Sequence, residues 1–271
     1  MPGMTPASIA EKSSTSNTRA RKNASQPGSH RAAELLSIPI LEAHLKSLPK
    51  PIEDNKIHNL FLSELLEYRA YSAGPDTFTW DLVGWVGGDF NRLWIKTEGD
   101  QNIGGGAGMQ GDLQLLYGRL IAPFWDFQAG IRFNEVMGPD RSASSRTYAV
   151  IGFQGLAPGN FDVETALYIS DRGEVSARVT VSADLYLTQR LVLQPRLEAQ
   201  FSVQGDPKFS TGEGANQTDL GVRLRYEFSR EFAPYVGVTW VRKYGETADL
   251  ARSEGEPDDA IALVVGLRLW Y

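Results

Sequence analysis

Residues Ile261-Ala-Leu-Val-Val-Gly-Leu-Arg-Leu-Trp-Tyr271 alternate in character with a period of two. Every odd-numbered position is apolar or aromatic, whereas the even-numbered positions include Gly266 and Arg268. Because successive side chains of a β-strand point to opposite faces, this pattern predicts a strand with one wholly apolar face. Such a face lies against either lipid or a protein core.

The same alternation recurs along the chain from residue 57 onward. In segments 173–187, 190–203 and 216–228, charged and polar residues interleave with the apolar ones and form a second face. Strands this long with one apolar and one charged face favour a closed barrel that has lipid outside and a polar lumen. We count twelve segments, at 57–71, 75–86, 89–98, 111–121, 124–134, 144–154, 160–170, 173–187, 190–203, 216–228, 232–243 and 260–271.

The predicted fold is therefore an all-β, transmembrane, antiparallel up-and-down β-barrel of about twelve strands. Tight connections such as Gly87-Gly88 and Thr188-Gln189 alternate with long Gly-, Asp- and Ser-rich ones, as periplasmic turns and extracellular loops do. A final strand that ends on an aromatic, Tyr271, is typical of bacterial outer-membrane barrels. We expect a periplasmic girdle of the aromatic residues beside the tight turns, namely Phe90, Phe124, Trp125, Tyr186, Phe228, Phe232, Tyr235, Trp270 and Tyr271.

Composition excludes several classes of function. The net charge is -6 and no basic face is evident, which argues against a nucleic-acid partner. The chain has no cysteine, so disulfides, thiolate metal sites and cysteine nucleophiles are excluded. Hydrophobic residues make up 42% of the chain, but no apolar run approaches the length of a membrane-spanning helix. A barrel in outer-membrane lipid needs no such run, because only alternate residues face the lipid.

Residues 1–53 differ in composition from residues 54–271, which we assign to the barrel. From Thr5 to Arg31 the chain is rich in Ser, Thr, Asn, Lys, Arg and Ala, and is too poor in large apolar residues to fold by burial. We expect this N-terminal segment to be disordered or weakly structured. An outer-membrane protein also begins with a secretion signal, yet 1–30 has no apolar core of that kind. Either the start is misassigned or the leader is missing.

Six stretches carry a resemblance to a known family. They are 54–58, 66–69, 80–99, 115–119, 123–132 and 240–245. The most specific parts are Gly87-Gly88-Asp89-Phe90-Asn91-Arg92-Leu93-Trp94 and Pro123-Phe124-Trp125-Asp126. Together they resemble the copper resistance protein B family of outer-membrane proteins, over nearly everything from residue 54 to the end. The residues that we single out from this resemblance are Glu67, Tyr68, Arg69, Gly87, Gly88, Asp89, Asn91, Arg92 and Trp94.

The resemblance implies a barrel in the outer membrane and a role in resistance to excess copper. It also implies an N-terminal segment rich in Met and His that binds the metal, and this chain departs there, with four Met and three His in all. Thioethers select Cu(I) and imidazoles suit Cu(II), so such a chain holds few copper ions through side chains of these types. The candidate ligands are His58 and, in predicted outer loops, Met109 and Met137. Alternatively, each of the three is packing or loop filler.

Charged side chains on the second strand face would project into the lumen. They could form salt bridges that stabilise a narrow barrel, since a confined charge is costly unless paired. Alternatively, they could form a pathway whose multiple weak sites let an ion enter and leave. The carboxylates that could attract a cation are Glu98, Glu164, Glu198, Asp219 and Glu227.

The predicted function is therefore passage or transient capture of copper ions across the outer membrane, with no catalytic activity. A Ser-His-Asp site would need a histidine on a barrel strand, and only His58 comes near one. We expect the periplasmic end near 54–58 to meet a soluble copper carrier. Three alternatives remain: a small-solute channel without copper specificity, a structural barrel with a closed lumen, and a soluble β-sandwich. The sandwich is the weakest, because its strands rarely carry so many long one-sided apolar faces.

Overall fold

The computed structural model of the chain describes residues 56–104, 108–138 and 142–271. The predicted disorder of residues 1–53 lies outside this part of the chain. The described residues form thirteen strand segments and one helix, α1 (Gly245–Ser253). The strands are β1 (His58–Tyr71), β2 (Asp76–Gly87), β3 (Asn91–Ile103), β4 (Met109–Ala122), β5 (Trp125–Met137), β6 (Ala143–Ala157), β7 (Phe161–Ser170), β8 (Val175–Ala183), β9 (Leu185–Tyr186), β10 (Leu191–Ser202), β11 (Gly214–Tyr226), β12 (Phe232–Lys243) and β13 (Asp259–Trp270).

The strands form one closed antiparallel sheet. Each strand pairs with its neighbours in sequence, and β13 pairs back onto β1. The segments β8 and β9 both pair with β10, so they are one strand interrupted at Asp184, and the barrel has twelve strands. At the seam, the backbone N–H groups of Phe61 and Tyr271 each donate to the other's carbonyl, both at 2.8 Å. The predicted count of twelve antiparallel strands is confirmed.

The apolar strand faces lie on the outside of the barrel. On β13, Leu263 is 64% exposed while the alternate residue Ala262 is 0% exposed. The same contrast recurs around the barrel, where large apolar side chains such as Ile151 and Val236 are exposed. A continuous apolar outer surface fits lipid and does not fit water. The transmembrane barrel is therefore confirmed, and the alternative of a soluble sandwich is wrong because the sheet closes and its apolar face points outward.

The two ends of the barrel differ. At one end, here called the turn end, short connections join the strands, as at residues 88–90 and 123–124. At the other, here called the loop end, the connections include residues 203–213 and the segment that contains α1. No helix among the described residues is long and apolar enough to cross a membrane.

Most of the predicted aromatic girdle lies where we expect it. Phe90, Phe124 and Phe228 are exposed at the turn end. Tyr235 was placed wrongly: it is 4% exposed, and its hydroxyl donates a hydrogen bond to Glu67 inside the lumen. The alternation of β12 explains this, because Tyr235 is an odd number of residues from the outward-facing Phe232.

A β-bulge interrupts β1 at Glu64. Ser63 lies opposite Leu82 of β2 and Leu65 lies opposite Asp81, so Glu64 is the extra residue. Phe61 and Tyr68 are seven positions apart, and strict alternation would place them on opposite faces. Both are nevertheless on the exposed outer surface, because the bulge reverses the alternation. The bulge also turns Glu64 toward the lumen, where it lines two cavities.

Candidate functional site

A buried ion cluster fills one side of the lumen. At its centre is Glu67 of β1, which is 0% exposed. Arg223 of β11 donates to both of its oxygens, at 2.9 and 2.8 Å, and Tyr235 donates at 3.0 Å. Arg69 donates to Glu67 at 2.7 Å and to Asp219 at 2.9 Å. These five residues, the Glu67 cluster, join β1, β11 and β12. Because every member is paired, the cluster offers no free charge to a passing ion.

The Glu67 cluster can form because the side chains on the lumen face of the intervening strand, β13, are small. Tyr235 on β12 reaches Glu67 on β1 by crossing the lumen face of β13. The side chains of β13 there are small, including Ala262 and Gly266. A Cβ on Gly266 would lie 2.5 Å from Cζ of Tyr235, which is closer than non-bonded atoms approach. Gly266 therefore makes room for the ring of Tyr235.

Three cavities lie along the rest of the lumen. The upper cavity, at the loop end, encloses about 990 Å³ including its open mouth. The central cavity encloses about 500 Å³, and the lower cavity, at the turn end, about 810 Å³. The central cavity is thus the smallest of the three.

Neighbouring cavities share lining residues, and an ion pair stands at each junction. Glu98 and Arg178 line both the upper and the central cavity, and they form an ion pair with each other. Glu64 and Arg196 line both the central and the lower cavity. Arg196 pairs with Asp81 at 3.1 Å and lies 3.9 Å from Glu64. The three cavities therefore form a series that two ion-pair crossings divide.

Each cavity has more carboxylates than cations in its lining. The upper cavity has five against three: Glu98, Asp112, Glu174, Glu198 and Asp206 against Arg132, Arg146 and Arg178. The central cavity also has five against three: Glu64, Asp81, Glu98, Asp162 and Glu164 against Lys96, Arg178 and Arg196. The lower cavity has three against two: Glu64, Asp162 and Asp184 against Arg196 and Arg268. The field along this series attracts cations and repels anions.

Every lumen carboxylate named from the sequence has a cationic partner. The pairs are Glu98 with Arg178, Glu164 with Lys96 at 2.8 Å, Glu198 with Arg196 at 3.4 Å, Asp219 with Arg69 at 2.9 Å and Glu227 with Arg225 at 3.3 Å. Asp219 belongs to the Glu67 cluster and lies away from the three cavities. The salt-bridge interpretation therefore describes the geometry of all five, and only Glu98, Glu164 and Glu198 also line a cavity.

Sequence reasoning missed three carboxylates that line the central cavity, Glu64, Asp81 and Asp162. Among the described residues, no cation lies within 4.0 Å of Asp162, and Glu64 has only the long contact to Arg196. Asp162 could have been identified from the sequence, because it is two residues before Glu164 and shares its face. Glu64 could not be identified from the sequence, because the bulge in β1 reverses the alternation that would assign its face.

The candidate copper ligands lie apart from these cavities. His58 is exposed at the first residue of β1, at the turn end. Met109 and Met137 were predicted in outer loops, and this was wrong: they begin β4 and end β5, because pairing continues beyond the apolar part of these strands. They are direct register partners on the outward face at the loop end.

The described part of the chain holds no arrangement of three or more His, Cys, Asp or Glu side chains suited to a metal ion. His30 and His44 lie outside the described residues. No His or Met lines any of the three cavities. The described lining of the lumen therefore lacks the ligand types that copper prefers, and an ion there would meet carboxylates and amides.

The two most specific sequence blocks of the resemblance meet at the turn end. Arg92, from the first block, donates to Asp126 of the second at 3.0 Å and lies 4.7 Å from the centre of the Trp85 ring. A Cβ on Gly87 would lie 2.3 Å from the carbonyl oxygen of Asn91, so this tight turn requires glycine.

Smaller contacts fix the rest of this motif. Gly88 N–H donates to the carbonyl of Asn91 at 3.0 Å, and Arg92 reaches the carbonyl of Asp89 at 3.5 Å. The Asn91 side chain accepts from Tyr117 at 2.6 Å. Trp94 is buried in the lumen, in one hydrophobic cluster with Val83, Leu116, Val150 and Tyr168. The residues of this motif therefore stabilise the tight turn and the adjoining packing inside the lumen.

Tyr68 and its neighbours divide between the two faces of β1. Tyr68 points outward and its hydroxyl donates to Asp76. Glu67 and Arg69, on either side of it, point inward to the Glu67 cluster. The residues singled out from the family resemblance thus stabilise the barrel itself. The cavities are lined mainly by other residues.

Comparison with known proteins identifies relatives. The family described as Copper resistance protein B precursor (CopB) matches residues 57–271. Copper resistance protein B of Escherichia coli is 41% identical over 220 residues, which are 81% of this chain and 72% of that protein. A Copper resistance protein B homolog of Pseudomonas syringae pv. tomato is 40% identical over the same shares of the two lengths.

Solved structures with a similar fold are far more distant in sequence. A KdgM porin is 10% identical with a TM-score of 0.44, and the match covers 78% of this chain and 98% of the porin. A NanC porin is 10% identical with a TM-score of 0.46, and the match covers 78% of this chain and 99% of the porin. The sequence relatives carry the assignment, and by that evidence this chain belongs to the copper resistance protein B family.

Proposed function

We propose that this protein lies in the bacterial outer membrane and contributes to copper resistance by passing copper ions, or capturing them transiently, along its lumen. The turn end faces the periplasm and the loop end faces outward, as short turns and long loops do in such barrels. Family membership supports the copper role, and the apolar outer surface supports the location. No catalytic step is part of the proposal.

The series of acid-rich cavities carries this proposal. The cavities follow one another from the loop end to the turn end, and each has more carboxylates than cations. Several weak acidic positions let a cation enter and leave, whereas one strong site would retain it. Since the residues described along the three cavities include no thioether or imidazole group, copper keeps most of its own water ligands during passage. The lumen then selects by charge, and the ion pairs at the junctions set the rate.

The test is ion flux across liposomes that contain the refolded protein. We expect copper to pass faster than a small sugar. The double variant Glu64→Gln, Asp162→Asn removes two charges from both the central and the lower cavity without changing side-chain size. We expect it to lower copper flux several-fold. The matched control is Asp249→Asn, because Asp249 is exposed on α1 outside the lumen.

The outcomes separate the remaining alternatives. Equal passage of copper, zinc and the sugar would favour a small-solute channel without copper specificity. No passage of any solute would favour a closed structural barrel, for which the fully paired Glu67 cluster is the supporting feature. Unchanged copper flux in the double variant would contradict a role for the acid-rich cavities.

A second candidate site is the Met109 and Met137 pair. Register partners on one face have Cβ atoms about 4.5–5.5 Å apart, so two thioethers there could hold one Cu(I) ion. Such a site would capture copper at the outer rim and lies outside the lumen. The double variant Met109→Leu, Met137→Leu should remove one equivalent of Cu(I) binding in a titration with a competing chelator. An unchanged stoichiometry would contradict the site.

A periplasmic copper carrier is the proposed partner at the turn end. His58 is exposed there and is the sole histidine among the described residues. It could therefore receive or donate copper. His58→Gln should slow copper transfer between the barrel and a copper-loaded carrier, while flux of free copper stays unchanged. If both rates stay unchanged, His58 has no part in transfer.

A further inference from the structure

Residues 203–213, here called the mouth loop, connect β10 to β11 and fold over the upper cavity. Asp206, Phe209 and Thr211 of the mouth loop line that cavity. The loop has its own structure. A short 3-10 turn spans Pro207–Phe209, and the Asp206 side chain accepts from the backbone of Lys208 at 3.2 Å. The mouth loop is therefore a shaped element.

Arg146 of β6 joins the mouth loop to the side of the barrel mouth that β6, β7 and β8 form. Its guanidinium forms ion pairs with Asp206 of the mouth loop and with Glu174 of the β7–β8 connection. The Phe209 ring lies 4.5 Å from the same guanidinium. Ser170 donates to Glu174 at 2.9 Å and fixes its position. Arg146, Glu174 and Asp206, here called the latch, thus join three separate parts of the loop end.

The other side of the mouth loop is attached to α1. Gly212 N–H donates to the Thr247 hydroxyl at 2.9 Å, and Glu213 N–H donates to the Glu246 carboxylate at 3.2 Å. A Cβ on Gly212 would lie 2.4 Å from Cβ of Glu246, so the two segments are in close contact. The mouth loop and α1 therefore form one unit on one side of the mouth. The latch joins this unit to the side of the mouth that β6, β7 and β8 form, where Val175 N–H also donates to the Gln204 side chain at 2.9 Å.

The space beneath the mouth loop is a polar chamber. Five buried polar atoms of residues that line it have no hydrogen-bond partner in the described part of the chain: Oδ1 of Asp112, Oδ1 of Asn134, Nε of Arg146, the hydroxyl of Tyr168 and Oδ1 of Asn216. Buried polar groups in folded proteins find partners, so water or a polar solute satisfies these atoms. The mouth loop thus covers a wet chamber, and lifting it would expose little apolar surface apart from Phe209.

We propose that the mouth loop is a lid on the outer entrance of the lumen and that the latch holds it closed. Opening breaks the contacts of Arg146 and leaves the strand pairing intact, so it needs far less free energy than unfolding of the barrel. The lid controls access for any solute, and only the identity of that solute rests on the proposed function.

The absence of cysteine makes the test direct. Ser176→Cys places one thiol of nearly unchanged size in the lining of the upper cavity. A charged, membrane-impermeant thiosulfonate is added outside proteoliposomes, and the rate of labelling is measured. We expect slow labelling with the intact latch and at least tenfold faster labelling when Arg146→Met is added. Asp206→Asn should give an increase in the same direction and serves if the Arg146 variant fails to fold.

The matched control is Arg252→Gln, which breaks exposed ion pairs on α1 and leaves the latch intact. Its labelling rate should equal that of Ser176→Cys alone. Fast labelling with an intact latch would overturn the proposal, and so would equal rates in the latch variants and the control. The readout contains no copper, so a negative flux experiment and a negative labelling experiment are separate results.

Discussion

Glu67 and Glu64 are three residues apart on one strand and have opposite roles in the lumen. Glu67 is fully buried between two arginines, whereas the Glu64 side chain is 32% exposed and has one contact to a cation, at 3.9 Å. A buried carboxylate whose charge is removed leaves its guanidinium partners uncompensated. The two residues therefore form a matched pair for mutation.

Glu67→Gln should lower the free energy of unfolding by about 3–5 kcal/mol, because Arg69 and Arg223 lose their shared counter-charge. Glu64→Gln should change it by less than about 1 kcal/mol, since its ion-pair contact is long and wet. Both changes keep the side-chain shape. The measurement is urea unfolding in detergent micelles, followed by tryptophan fluorescence. Equal losses in the two variants would contradict the central role of Glu67.

Gly266→Ala should also destabilise the barrel. The added methyl group would collide with the Tyr235 ring, which must then move away from Glu67. Overpacking of this kind costs about 1–3 kcal/mol. The temperature at which the folded band disappears on a heat-modifiability gel should fall. Val265→Ala is the control, because Val265 is exposed on the outer face of the same strand. A smaller shift for Gly266 than for Val265 would refute the packing argument.

At this scale, the sequence predicts which residues face the lumen but not which of them meet. Period-two alternation assigns Glu98, Glu164 and Glu198 to the inner face, and the structure agrees. Two of the partners of Glu67, Arg223 and Tyr235, come from β11 and β12, far away in sequence. Such contacts depend on barrel curvature and on the small side chains of β13, which no local pattern encodes.

The bulge in β1 has a consequence at the level of the strand. Deleting Glu64 removes the extra residue and restores regular pairing with β2 without moving any apolar side chain to the wrong face. This deletion should still give a folded, heat-modifiable barrel. Deleting Val83, which lies in regular pairing on β2, should prevent assembly because it reverses every side chain on one side of the gap. Failure of both deletions alike would show that the bulge itself is required.

Strand positions were predictable because lipid imposes a strict alternation on each segment. All twelve predicted segments correspond to strands. The largest difference is in β3, which extends to Ile103 where the prediction stops at residue 98. The added residues up to Asn102 are Gly or polar and carry no apolar alternation, yet the whole extension to Ile103 pairs with β2 beyond the lipid-facing band. The helix α1 was missed for the same reason, since a short helix in a loop has no lipid-facing pattern.

The strands of the described barrel all lie after position 57. Its strands begin at His58, and the first and last strands pair to close it. A chain that lacks residues 2–53 should therefore still fold and show the same heat-modifiable migration as the full chain. Its copper flux in liposomes separates any role of this segment from that of the lumen. Loss of the heat-modifiable form would show that folding depends on the removed segment.

The Glu67 cluster has a further consequence for the directions in which a cargo can leave. Its side chains run from β1 across β13 to β12 and β11, so they bridge the seam between the first and last strands from inside. Separating these strands would require breaking the backbone pairs and exposing buried arginines to lipid tails. Sideways release into the bilayer is therefore closed to this barrel. A solute that entered the lumen would have to leave along the barrel axis, through one of its two ends.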